Sequence, residues 1–357
     1  MTTIALPSAH AHGVSSAVGR VIALAVIAAI AFALELALGT VRIPLADVIG
    51  ILTGGATSDD SMQMIVRTVR LPRALTAAAG GAALGASGLM LQTLFRNRLA
   101  GPWLLGVTGG ARIGVAMMIV AVSLSGYLVP AKLGISGSAA VAGSASAGAA
   151  IALAVMALAA RRVGTMSLLL LGVMITFLTT GASSVLMHLV SEDQGRVWEA
   201  WNDGNFGGVT WLNLRVLLPL FAIGSVAALM LVKSLDALLL GERYAESMGV
   251  SVPRIRWMAL AVVAILSGTT TAFCGVVAFL DVAVPHVARG VMRTSDHRVL
   301  LPASLLLGAA LAMFADLLAH LPVGNRILHL NAITAVLGAP VVMGMLLKRS
   351  RAPNEES

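Results

Sequence analysis

Uninterrupted apolar runs, each about twenty residues long, make up most of this chain, and the short stretches between them collect most of its charges. A helix of that length spans the hydrocarbon core of a bilayer. Inside that core the backbone satisfies itself only as a helix or as a closed barrel. A barrel alternates apolar and polar residues in segments of about ten, whereas these runs are continuous. Composition agrees: 58% of the 357 residues are hydrophobic and 11% are charged, with a mean hydropathy of +0.93. Soluble domains carry about 25% charged residues. The fold class is an all-α integral membrane protein.

The runs predict ten spans, at 20–39, 71–95, 103–125, 138–160, 166–190, 214–234, 257–277, 279–292, 299–319 and 331–347. The eighth is short and begins close behind the seventh. They form one domain, 20–348, with polar tails at 1–19 and 349–357. Ten spans put both ends of the chain on one side. Fifteen basic residues, among them Arg20, Arg96, Arg98, Arg254, Arg293 and Arg298, fall on that side, against eight on the other. The positive-inside rule therefore places both termini in the cytoplasm. The opening "MTTIALPSAHAHGVSSAVGR" lacks the n-region, short h-region and cleavage site of a signal peptide, so it reads as a polar tail.

Several chemistries are absent. The net charge of +8 is scattered between apolar runs with no interleaved aromatics, which excludes a nucleic-acid surface. The lone Cys274 excludes an intrachain disulfide and reads as a small buried hydrophobe. No phosphate loop, H-E-x-x-H or Cys-x-x-Cys occurs, and the seven histidines are dispersed. No catalytic residue, metal site or cofactor is expected.

Within the spans, Gly81/Gly85 and Gly110/Gly114 form G-x-x-x-G pairs that permit close helix packing. Glu35, Arg112, Asp281 and Asp316 place charge in the bilayer, where it is costly and functional by default. Glu35 lies near a helix end and can snorkel. Arg112 and Asp281 either neutralise each other across the bundle or line a wet path; the sequence leaves both open.

"LLLGERYAESMGVSVPRIRW" (Leu238 to Trp257) is a charged island between two apolar runs. Tyr244 and Met248, four apart, share a helical face, with Glu242, Arg243 and Glu246 on the others. Gly249 and Pro253 stop the helix. So short a helix is marginal alone and fits a docking element better than a solvated loop.

Three stretches carry a resemblance: "RLPRALTAAAGGAALGASGLMLQTLFRNRLAGPWLLGVTGGA", "WNDGNFGGVTW", and the run from "LLLGERYAESMGV" through "VPHVARGVMRTSDHRVLLPAS" to "LNAITAVLGAPVV". Across residues 65–348 the chain resembles the permease subunits of ABC importers for iron–siderophore, haem and cobalamin, the FecCD family. The resemblance implies the ten-helix bundle of the cobalamin-importer permeases in a bacterial inner membrane. It implies two separate ATPase subunits, a second permease copy or paralogue, and a substrate-binding protein as partners, with membrane lipid around them. The ATPase would dock on Glu242, Arg243, Tyr244, Ala245, Glu246, Ser247, Met248, Gly249 and Val250. Arg70, Arg73 and Arg326 match arginines that meet carboxylates of the binding protein. Asn97, Leu99 and Thr165 match positions that narrow the cytoplasmic gate. The implied cargo is an iron chelate, with haem or cobalamin as alternatives.

The chain departs from the family pattern at three points. Arg98 stands where proline is usual, Gly101 where an acidic or polar residue is usual, and Asp281 where glycine is usual. Asp281 joins the pathway residues on that ground. A gradient-driven secondary transporter is the competing class. Half-helices broken by Gly or Pro, with Asp281, Arg112 and the region around Pro285, are the features it would claim.

Overall fold

The computed structural model describes residues 9–39, 41–54, 60–125, 137–160, 162–321 and 328–350. Every regular element among them is helical. In chain order these are α1 (Ala9–Ala37), α2 (Leu45–Thr53) and α3 (Asp60–Leu94, which includes a π-helical stretch at Ile65–Arg70). Next come α4 (Val107–Ser125), α5 (Gly137–Ala159), α6 (Thr165–Met187), α7 (Glu192–Asn202) and α8 (Trp211–Met230). The last are α9 (Val232–Leu239), α10 (Glu242–Ser247), α11 (Val252–Cys274), α12 (Leu280–Met292), α13 (His297–His320) and α14 (Leu330–Ser350). The expected polar tail is helical from Ala9; residues 351–357 and Arg326 lie outside the described residues.

The centre of the bundle is α3, whose most apolar window is 89% buried. It packs on α13, α11, α12 and α8. Small residues make this possible. A Cβ added at Gly81 would lie 2.3 Å from the Gly308 carbonyl and from the Ala312 Cβ, both on α13. One at Gly85 would lie 2.7 Å from the Ser304 carbonyl. Backbones meet here directly, and dispersion and close packing replace a hydrophobic driving force that lipid does not supply. A second such crossing joins α4 to α5, where Gly110 and Gly148 each face the other's carbonyl.

Among the described residues, eight helices are long and apolar enough to cross a membrane. The expected eighth span, 279–292, is not one of them. Helix α12 has 13 residues, about 20 Å at 1.5 Å per residue, short of a core about 30 Å thick. Helix α11 ends at Cys274, and the chain runs non-helically to Phe279 before α12 begins. Gly275 is fixed by two demands at once: its φ is +72°, and a Cβ there would lie 1.9 Å from the Trp201 carbonyl. Asn331, at the start of α14, satisfies the exposed backbone of the break. Its Oδ1 accepts from the Ala278 amide at 3.0 Å and its Nδ2 donates to the Val276 carbonyl at 2.7 Å. Irregular backbone at such depth is tolerated only where protein satisfies it in this way. The break lies ahead of Pro285, which sits within α12.

Replacing Gly81 with valine should cost about 1–3 kcal/mol through overpacking, read as a fall in thermal unfolding temperature in detergent. Gly143→Val, where a Cβ would meet nothing within 4 Å, should leave that temperature close to the parent's.

Candidate functional site

The charged and polar groups lie at three levels along α3. At the end where α3 emerges from its π-helical stretch, Arg70 and Arg73 are both buried. Arg70 Nη1 donates to the Leu36 carbonyl at 2.7 Å, and Nη2 donates to the Val41 carbonyl. It thereby braces the link between α1 and α2. Arg73 Nε pairs with Asp316 Oδ2 at 2.7 Å and lies 3.6 Å from Glu35 Oε1. Glu35 and Asp316 are fully buried. Glu35 therefore does not snorkel: it is held inside, where α1, α3 and α13 meet. His320 Nδ1 lies 3.5 Å from Asp316 Oδ2 and closes the group. The guanidiniums expected at the surface are, in the single chain, engaged by its own carbonyls and carboxylates.

In the middle, Asp281 is buried at the start of α12. Among the described residues it forms no ion pair with Arg112, whose Nε is buried without a hydrogen-bond partner. Asp281 Oδ1 accepts from the Val282 amide at 3.0 Å. Its Oδ2 points at Gly101, where an added Cβ would lie 2.2 Å away. Gly101 and Asp281, separate departures in the sequence, are thus one adjustment: the carboxylate occupies space that a side chain at 101 would need. On its other side, a Cβ at Gly88 would lie 1.7 Å from the Asp281 carbonyl oxygen. That carbonyl lacks its usual helical partner because Pro285, four residues on, has no N–H.

The turn after α3 holds Asn97 and Leu99. Phe95 ends the helix and Arg96 has a φ of +47°. Asn97 Oδ1 accepts from the Leu99 amide at 2.9 Å, and the Asn97 carbonyl accepts from Ala100 at 3.0 Å. Leu99 is exposed. His286 Nε2 donates to the Arg98 carbonyl at 2.8 Å, tying the turn to α12. On the far side, Thr176 donates to the Trp103 carbonyl at 2.8 Å. A Cβ at Gly172 would lie 2.0 Å from the Leu104 carbonyl, so α6 presses against this loop. Gly101, at the end of this turn, lies against Asp281, while Asn97 and Leu99 bond to each other within the turn. Thr165 begins α6, seven residues or about 10 Å along the helix from Gly172.

At the third level is the charged island. Gly241, with φ +120°, starts α10, and Gly249, with φ +81°, follows its end. The Val250 amide donates to the Ala245 carbonyl at 3.0 Å. Ala245 is buried, whereas Tyr244 is 55% and Met248 48% exposed, alongside the exposed Arg243 and Glu246, so two large apolar side chains stand out among charged ones. Glu242 Oε1 accepts from Arg256 Nη2 at 3.2 Å, anchoring the short helix to α11.

The preceding helix, α9, is wired to the bundle. His297 Nδ1 lies 2.6 Å from Asp236 Oδ1 and its Nε2 lies 2.7 Å from Thr93 Oγ1, so one buried ring links α9, α13 and the end of α3. Arg96 Nη2 adds a bond to the Leu238 carbonyl at 3.2 Å. Arg289 of α12 donates to Gln92 Oε1 at 2.5 Å. Thr93, Gln92, Arg289 and His297 all lie in quoted motifs, but their meeting in space is seen only in the structure.

Fold and site together define a helical membrane protein with a short, exposed helix at one end and a polar turn beside it. The FecCD transport family pattern matches residues 26–348, and the chain belongs to that family. It is an ABC importer permease. It is 38% identical over 288 residues to the vitamin B12 import system permease protein BtuC of Vibrio cholerae serotype O1, covering 80% of this chain and 83% of that protein. It is 33% identical over 302 residues to the hemin transport system permease protein HmuU of Yersinia pestis, covering 82% and 86%. Its fold matches a chain of an inward-facing metal-chelate type ABC transporter with a TM-score of 0.79 and 26% identity, over 92% of this chain and 98% of that one.

Two outcomes follow from this geometry. Arg73→Met leaves Glu35 and Asp316 buried without their cation and should cost about 3–5 kcal/mol, measured by thermal unfolding. Gly101→Ser should lower stability and transport, and adding Asp281→Gly should recover both. A coupling energy of about 0.5–3 kcal/mol between the two sites in a double-mutant cycle is expected for side chains in contact.

Proposed function

We propose that this chain is the membrane subunit through which a binding protein delivers a metal chelate to the cytoplasm, driven by a separate ATPase docked on Glu242–Val250. The observation that carries this reading is the exposed face of α10. Tyr244, and Met248 just past the helix end, stand exposed beside Arg243 and Glu246, between two left-handed glycines. Such a face, in a helix too short to be stable alone, is a surface for a groove on a partner. Two ATPase copies, a second permease copy or paralogue, inner-membrane residence and cytoplasmic termini complete the proposal.

In this scheme the docked ATPase moves α9 and α10 as a unit. Asp236, His297 and Thr93 pass that displacement to the end of α3, and so to the turn at Asn97–Gly101. Asn97, Leu99, Thr165 and Asp281 are proposed to shape the passage there. At the other end, the binding protein meets the rim that Arg70 and Arg73 brace. Those two residues act by holding α1, α3 and α13 in place, with Arg326 as the proposed direct contact.

The cargo is a metal chelate. The sequence favours an iron chelate, while the relatives' names are those of vitamin B12 and haemin permeases. A gradient-driven carrier would claim the half-helix α12, but the family membership and the docking face favour the ATP-driven reading.

The test is uptake into vesicles holding the permease with its ATPase, using ferric siderophore, haemin and cobalamin in turn, each with its binding protein. One cargo should be taken up and should raise ATP turnover. Tyr244→Asp or Met248→Asp should reduce uptake at least about 30-fold, equivalent to the loss of a hot-spot contact of about 2 kcal/mol or more. Protein yield should be unaffected. Uptake that needs only a proton or sodium gradient, and survives both substitutions, would reject the proposal.

A further inference from the structure

At the end of the bundle where α1 and α13 begin, a cavity of about 620 Å³ opens between α1 and the α12–α13 turn. Three arginines, Arg20, Arg293 and Arg298, line it together with Val18, Ile22 and Val299. Two of these cations are positioned by the backbone. Arg20 Nη1 donates to the Met292 carbonyl at 2.9 Å and to the Val291 carbonyl at 3.3 Å, the free carbonyls that end α12. Arg293 follows at once, in a left-handed conformation with φ +54°, which turns the chain toward α13. Arg298 belongs to the first turn of α13, whose positive dipole end faces the same space.

The neighbouring carboxylate is already used. Asp296 Oδ1 caps α13 by accepting from the Arg298 amide at 2.8 Å. Among the described residues no carboxylate forms an ion pair with Arg20, Arg293 or Arg298; the arginine pairs there involve Arg73, Arg196 and Arg256. On the bilayer side of the cations, Ile22 is 58% exposed on α1, facing Val299 and Pro302 of α13 across the cavity. The cavity thus has a cationic rim at the membrane surface and an apolar groove running into the bilayer.

We propose that this cavity binds an anionic phospholipid. The phosphate sits among Arg293, Arg298 and the remaining N–H groups of Arg20, and one acyl chain lies along Ile22, Val299 and Pro302. Both halves of the ligand are demanded. Clustered guanidiniums without counter-charge recruit a phosphate, and the groove takes the chain attached to it. A zwitterionic lipid brings its own ammonium to the rim, so an anionic headgroup is preferred. Basic pockets between helices at the membrane surface have this chemistry. The bound lipid would tie α1 to the turn that leads out of α12. This inference does not depend on the identity of the cargo.

The test is native mass spectrometry of the full-length chain in mild detergent, titrated with phosphatidylglycerol and with phosphatidylcholine of the same acyl chains. Phosphatidylglycerol should bind more tightly. Arg293→Gln/Arg298→Gln should weaken it about 30-fold, two arginines at about 1 kcal/mol each, and bring it level with phosphatidylcholine. Ile22→Trp, which fills the groove but keeps the arginines, should also weaken it. Arg243→Gln/Arg254→Gln removes the same charge from the same end and should leave binding unchanged. If the Arg293/Arg298 variant does not fold, the lipid preference of the parent and the Ile22→Trp result decide the matter. Equal binding of the two lipids, or equal loss in both arginine pairs, would overturn the proposal. So would displacement of phosphatidylglycerol by millimolar inorganic phosphate, which would mark a free-anion site.

Discussion

Everything in this molecule hangs on how closely the backbone of α3 approaches that of its neighbours. Gly81, Gly85 and Gly88 present no side chain to α13 and α12, so carbonyl oxygens of Gly308, Ser304 and Asp281 lie where a Cβ would otherwise be. In a soluble protein a central element is held by expulsion of water from large side chains. Here lipid is as apolar as the protein, and contact at the backbone takes that place. The consequence is positional: α3 carries the Arg73 cluster at one end and the Asn97–Gly101 turn at the other, and neither end shifts without disturbing the glycine stripe.

The same rigidity gives the polar groups their roles. A buried arginine flanked by two carboxylates contributes little net stability, because desolvation offsets much of the attraction. It does specify geometry, and Arg73 fixes which faces of α1, α3 and α13 meet. At the opposite end, the link from Asp236 through His297 to Thr93 ties the base of α3 to α9. The half-helix α12 stands between these ends, with Asp281 at its start and Arg289 on Gln92 near its finish.

Much of this was legible in the sequence, and the limits have physical causes. Apolar length alone located the long spans, since a run of about twenty residues has few other solutions. The same criterion failed at 279–292, because an apolar run does not reveal that Asn331 caps a break inside the bundle. The charged island was readable as a short stopped helix, its glycines and its Tyr244/Met248 face being local features. Glu35, Arg73 and Asp316 come from three separate helices, so their meeting left no local trace, and Arg73 read as a surface cation. Gly101 and Asp281 were each visible as departures from a family pattern. That one makes room for the other required coordinates.

The clasp formed by Asn331 bears on how the protein is made. Its partners are the backbone groups of Val276 and Ala278, which precede it by 55 and 53 residues. During synthesis the non-helical stretch reaches the membrane well before the side chain that satisfies it. Until α14 arrives, the Val276 carbonyl and the Ala278 amide between α11 and α12 lack the partner that Asn331 supplies. A chain that stops before residue 331 would carry α1 to α13 yet lack the side chain that clasps the break between α11 and α12.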